Sequence, residues 1–142
     1  MKKSIVFLFA LSVVVSCRQN ETRPTGDVSG EIVPADGKYP AMTFTETEYD
    51  FGDIASGAKV THEFRFKNTG EANLIISNAY GSCGCTVPEY PKESIPPGES
   101  GEITVTFNSA GKHGRQHKTV TLVTNSAKHK EQLQITANIN GE

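Results

Sequence analysis

From Met42 onward, hydrophobic and polar residues alternate along most of the chain. Met42 and Phe44, and then Phe51, are set off by Thr43, Thr45 and Thr47, which predicts a first strand. Val60, His62, Phe64 and Phe66 alternate with Thr61, Glu63, Arg65 and Lys67, the period of a strand with one buried face. Leu74-Ile75-Ile76 opens a third strand, apolar enough for a central place. Ile103, Val105 and Phe107 alternate with Glu102, Thr104 and Thr106, and residues 119–124 read Thr-Val-Thr-Leu-Val-Thr. Leu133, Ile135, Ala137 and Ile139 alternate with Gln132, Gln134, Thr136 and Asn138. No stretch of the domain carries a helical period. Short strands parted by Gly- and Asn-bearing turns predict an all-β sandwich or barrel. About seven strands in roughly 100 residues favour an immunoglobulin-like β-sandwich. The last strand, Lys130 to Asn138, is expected at an open edge, kept soluble while unpaired by polar Gln132, Gln134 and Asn138.

The first residues follow a different rule. Lys2 and Lys3 precede an apolar run from Ile5 to Val15, broken only by Ser12 and followed by Ser16-Cys17. That run is shorter than the roughly 20 apolar residues of a membrane-spanning helix and fits a signal peptide. Val14-Val15-Ser16-Cys17 resembles the bacterial lipobox, which implies cleavage between Ser16 and Cys17 and acyl chains on the new N-terminal Cys17. Two or more acyl chains anchor a protein stably where one holds it only marginally. Arg18, in place of the Asp that retains some lipoproteins in the inner membrane, favours the outer membrane. Residues 18–41 have no sustained period and carry Pro24, Pro34 and Pro40, so a flexible tether is expected, with Glu31-Ile32-Val33 as a possible short strand. The expected organisation is a signal peptide at 1–16, a lipidated N-terminus and tether at 17–41, and the sandwich at 42–142. The mature chain then has 142 − 16 = 126 residues and a side-chain balance of 12 − 16 = −4. It has no transmembrane helix, and it lies in the cell envelope, where disulfides persist.

Composition narrows the classes further. With 142 residues, 36% hydrophobic and 21% charged, the chain holds one domain and is too apolar to be disordered. A net charge of −2 without a basic run argues against nucleic-acid binding. The absence of Trp removes the Cys–Trp–Cys core of antibody domains.

Three stretches bear a family resemblance: Asp50-Phe51-Gly52-Asp53-Ile54 with Gly57, Phe64-Arg65-Phe66-Lys67-Asn68-Thr69-Gly70, and Ile95-Pro96-Pro97-Gly98-Glu99. Together they resemble the Ig-like modules of the ASH, major-sperm-protein and PapD-like group. With Ser82-Cys83-Gly84-Cys85-Thr86 the chain is similar to the bacterial domain-of-unknown-function family 1573, over roughly Phe44 to Asn140. The resemblance implies a scaffold and no assigned reaction. Read by themselves, Gly52 and Gly57 frame a turn, Asn68-Thr69-Gly70 supplies residues that tolerate left-handed dihedrals, and Pro96-Pro97-Gly98 stiffens a loop before a tight turn.

Cys83-Gly84-Cys85 is the strongest chemical signal. Full extension would separate the two alpha carbons by about 6.6–7.2 Å, beyond most disulfides, so pairing requires a bend that Gly84 permits. So small a ring is expected to be strained and easily reduced. Three readings stand: a structural pair, a redox dithiol, or a soft-metal site for Cu(I) or Zn(II). His113 and His117, in a predicted turn, are candidate additional ligands if their loop shares an end with the cysteines, which requires a short strand within Thr86 to Tyr90. His62 reads as a satisfied core or edge histidine, His129 as a solvated turn residue, and Asp50 and Asp53 as turn caps. No Gly-x-Ser-x-Gly, His-Glu-x-x-His, P-loop, dinucleotide or haem-attachment motif occurs. The expectation is a non-enzymatic, lipid-anchored envelope module without cofactor. It touches the membrane through its lipid and binds an envelope protein by β-augmentation. The alternative is thiol or copper/zinc handling at Cys83 and Cys85.

Overall fold

The computed structural model describes residues 37–141, so the signal peptide, Ser16, Cys17, most of the tether and Glu31-Ile32-Val33 lie outside the described residues. Eight strands and no helix are found among the described residues. They are β1 (Met42–Phe44), β2 (Glu48–Ala55), β3 (Lys59–Asn68), β4 (Ile76–Gly81), β5 (Thr86–Glu89), β6 (Ser100–Asn108), β7 (Gly114–Thr124) and β8 (Lys130–Asn140). One sheet has the order β1-β3-β6-β5 and the other β2-β8-β7-β4. Their inward rows form one core, with Phe64 and Phe66 from β3, Ile103, Val105 and Phe107 from β6, Val120 and Leu122 from β7, and Leu133, Ile135, Ala137 and Ile139 from β8. The Ig-like sandwich read from the alternation is the fold observed.

The predicted first strand is two strands in different sheets. β1 pairs antiparallel with the end of β3, Met42 opposite Asn68, while β2 runs parallel to β8. The chain crosses between sheets at Thr45–Thr47, where the Thr45 N–H reaches the Arg65 carbonyl (3.0 Å) and the Gln134 N–H reaches the Thr47 carbonyl (2.8 Å). Within β2 the register slips between Asp50 and Asp53, one extra residue against β8. That bulge sits at Gly52, whose φ of 67° is the left-handed region glycine favours. It moves the inward row from Tyr49 and Phe51 to Ile54.

β8, expected at an edge, lies between β2 and β7. Gln132, Gln134 and Asn138 do face outward, but on an interior strand. Leu74-Ile75 is not part of a central strand. Leu74 makes an isolated bridge to Ile95, Ile75 is 46% exposed, and the edge strand β4 starts at Ile76. The Asn125 side chain takes the place of a strand neighbour there, accepting from the Ile75 N–H (2.8 Å) and donating to the Asn73 carbonyl (3.0 Å). Gly70 has no left-handed dihedral. It is needed for close approach: a Cβ there would lie 2.4 Å from the Ala41 nitrogen and the Tyr39 carbonyl oxygen.

Candidate functional site

The Cys-Gly-Cys stretch is the crossover that carries the chain from β4 in one sheet to β5 in the other. Cys83 and Cys85 form a disulfide (S–S 1.99 Å) with alpha carbons 5.3 Å apart, so the chain bends as expected. Both cysteines are half-buried, and the Thr86 hydroxyl lies 3.8 and 4.0 Å from their sulfurs. The crossover is also held by its backbone. The Ser82 N–H donates to the Thr119 carbonyl (2.8 Å), the Thr86 N–H to the Cys83 carbonyl (3.2 Å), and the Asn108 N–H to the Cys85 carbonyl (2.9 Å). Closing a ring this small removes little chain entropy, about 1.6 kcal/mol at 25 °C for three residues. Replacing both cysteines by serine is therefore expected to lower unfolding free energy by about 1–2 kcal/mol and keep the fold. Urea unfolding with matched circular dichroism checks this, and loss of the folded signal in buffer would contradict it.

The strand required within Thr86 to Tyr90 exists as β5, and the loop after β6 returns to the cysteine end through Asn108. The four candidate ligands are nonetheless not gathered. His113 lines a hollow with Ala55, Ser56, Lys112 and Asn140. His117 belongs to β7, not to a turn, and faces outward beside Glu48, Asp50 and Arg115. Among the described residues no three His, Cys, Asp or Glu side chains are grouped to hold a metal ion. Asp50 and Asp53 have separate partners. Asp50 accepts from the Gly52 N–H (2.9 Å) and pairs with Arg115 (3.3 Å), while Asp53 accepts from Asn138 (2.6 Å). The Gly52 N–H first, then the Thr136 hydroxyl and Arg115, hold the Asp50 carboxyl below its usual pKa. His129 is an exposed turn residue with φ 59°.

A feature that sequence reasoning missed lies along β3. Its neighbour β1 covers only Phe66–Asn68, because the chain then crosses to the other sheet. In β3 the even-numbered residues bond to β6, as the Asn68 N–H does to the Glu99 carbonyl (2.9 Å). The odd-numbered residues turn the other way, as the Arg65 carbonyl does toward Thr45. The N–H and C=O groups of Lys59, Thr61 and Glu63 thus point to the open side, with no backbone partner among the described residues. A groove of about 570 Å³ runs there, lined by Thr45, Glu46, Thr61, His62, Glu63 and Arg65. Its floor is aromatic. His62 donates to Glu46 (2.8 Å), stacks on Tyr49 at 3.5 Å, and meets Phe64 edge-on at 4.7 Å.

The edges at β5, β2 and β4 are blunted. On β5, Val87 and Glu89 bond toward β6, so Thr86 and Pro88 face out; the Thr86 N–H is engaged with Cys83, and Pro88 has none. The open side of β2 carries Glu48, Asp50 and the bulge, and β4 is short and irregular at Ile76–Asn78.

A family model described as "Protein of unknown function (DUF1573)" matches residues 42–139, over two thirds of the chain. The chain belongs to this family. The DUF1573 domain is also similar to a protein of unknown function from Porphyromonas gingivalis W83, at 14% identity and TM-score 0.62, covering 70% of this chain and 46% of that one. The chain thus spans about half the length of that protein. The ASH / PapD-like domain 7 of human CEP192 matches at 10% identity and TM-score 0.57, covering 73% of this chain and 88% of that domain. The secreted serine protease VesC from Vibrio cholerae matches at 13% identity and TM-score 0.54, over 70% of this chain and only 23% of the protease. At these identities the likeness is one of fold, the Ig-like one. No curated protein matches the DUF1573 chain.

Proposed function

We propose that this protein is a non-enzymatic, lipid-anchored module of the bacterial envelope that docks a partner strand on the open edge of β3. The observation that carries the reading is the row of unpaired backbone groups at Lys59, Thr61 and Glu63, beside edges that Pro88, carboxylates and bulges blunt. An unpaired row of this kind is a template for β-augmentation. The lipobox-like Val14-Val15-Ser16-Cys17 supports anchoring, and Arg18 supports the outer membrane. The disulfide fits a staple and the oxidised form of a redox pair alike, and no observation favours thiol-redox or copper/zinc chemistry at Cys83 and Cys85 over a staple.

Two measurements test the two halves of the proposal. Intact-mass analysis of the chain from membranes is expected to show a mature protein starting at Cys17 and carrying acyl chains. Cys17→Ser is expected to leave the membrane pellet; a chain beginning at Met1 without acyl groups removes the anchor. A photo-crosslinking residue at Glu63 of the full chain is expected to yield a protein adduct in the envelope, and the same residue at Val87 none. Equal yields at both positions would remove the docking edge.

A further inference from the structure

The open edge of β3 is self-complementary, and we infer that its occupant is β3 of a second copy of this chain, paired antiparallel about a two-fold axis at Thr61. The inference rests on the docking reading above and names its partner. Only residues whose N–H and C=O point outward can bond across the new seam, and in β3 these are Lys59, Thr61 and Glu63. With Thr61 opposite Thr61, Lys59 of each copy falls opposite Glu63 of the other. All three outward-facing residues of each strand then have partners, and two Lys–Glu pairs form by symmetry. The neighbouring register, with the axis at His62, would set Lys59 against Arg65 of the second copy, a like-charge pair. It would also direct the new strand at the Arg65 carbonyl, which Thr45 already occupies (3.0 Å).

Charge matches this register without rearrangement. The side chains of Lys59, Thr61 and Glu63 stand exposed on the outer face of the sheet. Among the described residues Lys59 and Glu63 have no ion pair, and Thr61 shares a hydrogen bond only with the Thr106 hydroxyl (3.1 Å). The inner side of the edge is already closed by His62, Glu46 and Tyr49, so the second strand lies in the sheet plane and needs no core of its own. The seam joins two four-stranded sheets into one of eight strands. It is short, so the contact is a weak one that confinement of both copies to one membrane surface strengthens.

Cysteine placed on the axis reads this geometry directly. Directly opposed residues of a hydrogen-bonded antiparallel pair have alpha carbons about 5.5 Å apart, within disulfide range. The full chain carrying Thr61→Cys, in envelope membranes treated with a short bis-maleimide, is expected to give a covalent species of twice the chain mass. Thr104→Cys, on the same face of β6 and away from the seam, is expected to give at least tenfold less. Adding Glu63→Lys to the Thr61→Cys chain turns both ion pairs into repulsions and is expected to lower the dimer yield about tenfold. Adding Lys59→Glu together with Glu63→Lys restores it. Equal linking at Thr61→Cys and Thr104→Cys, or a yield indifferent to Glu63→Lys, would overturn the inference. An adduct of another mass at Thr61→Cys would also overturn it while leaving the docking edge in place. Failure of the edge itself is read separately, by equal photo-crosslinking at Glu63 and Val87.

Discussion

Asn68→Ala is expected to lower folding stability by about 3–5 kcal/mol, the largest loss from any single polar side chain in the sandwich. Asn68 is fully buried, and its amide serves four backbone groups from three segments. Nδ2 donates to the carbonyls of Ala72 (2.8 Å) and Ile95 (2.9 Å), and Oδ1 accepts from the N–H groups of Ala41 (3.3 Å) and Gly70 (3.1 Å). Its own backbone joins the loop before β6, through Glu99 and Gly98. One side chain thus ties the entry to β1, the loop from β3 to β4 and the Ile95–Gly98 loop. Alanine leaves the Ala72 carbonyl and the Gly70 and Ala41 N–H groups without their side-chain partner, while the Ile95 carbonyl keeps only the Leu74 N–H (2.9 Å), at about 1–3 kcal/mol for each group left unsatisfied away from water. For a domain of this size the melting temperature is expected to fall by roughly 15 °C or more. Asn68→Asp is expected to be no better, because a carboxylate would face the Ala72 and Ile95 carbonyls. A fall under about 1 kcal/mol for Asn68→Ala would show that the three segments hold one another without it.

Phe64→Ala is expected to cost about 3–5 kcal/mol, the range for deleting a buried aromatic side chain. Phe64 is fully buried on β3 and supports the aromatic column beneath the open edge. His62 stands on it edge-on, Tyr49 stacks on His62, and Phe51 meets Tyr49 edge-on at 4.9 Å. Removing the base of the column leaves a cavity and takes support from the residue that closes the inner side of the edge. Chemical unfolding measures the loss. Crosslinking at Thr61→Cys in the same background is expected to fall with it at temperatures where the core still holds. The contrast is Val87→Ala, on the exposed face of β5, where a change within about 0.5 kcal/mol is expected.

The alternation of Val60 to Phe66, Ile103 to Phe107 and Leu133 to Ile139 determined the strands and their buried faces, because a side chain's side of a sheet follows from position along its own strand. The breaks in the first strand were also written in the residues. The inward set runs Met42 and Phe44, then Tyr49 and Phe51, then Ile54, and each change between even and odd positions marks the sheet crossing or the bulge at Gly52. The closeness of Cys83 and Cys85 was likewise local, since one residue separates them. Strand order was not legible. β8 looks like an edge by its polar outer face, yet β2 covers it, while β3 looks like an interior strand and is half uncovered. Nor did Asn68-Thr69-Gly70 disclose that its work is to bind distant backbone and let Tyr39–Ala41 pass close by. Periodicity records which way each side chain faces. Which backbone lies alongside depends on pairings between segments tens of residues apart, and those are settled only when the two sheets close on a common core.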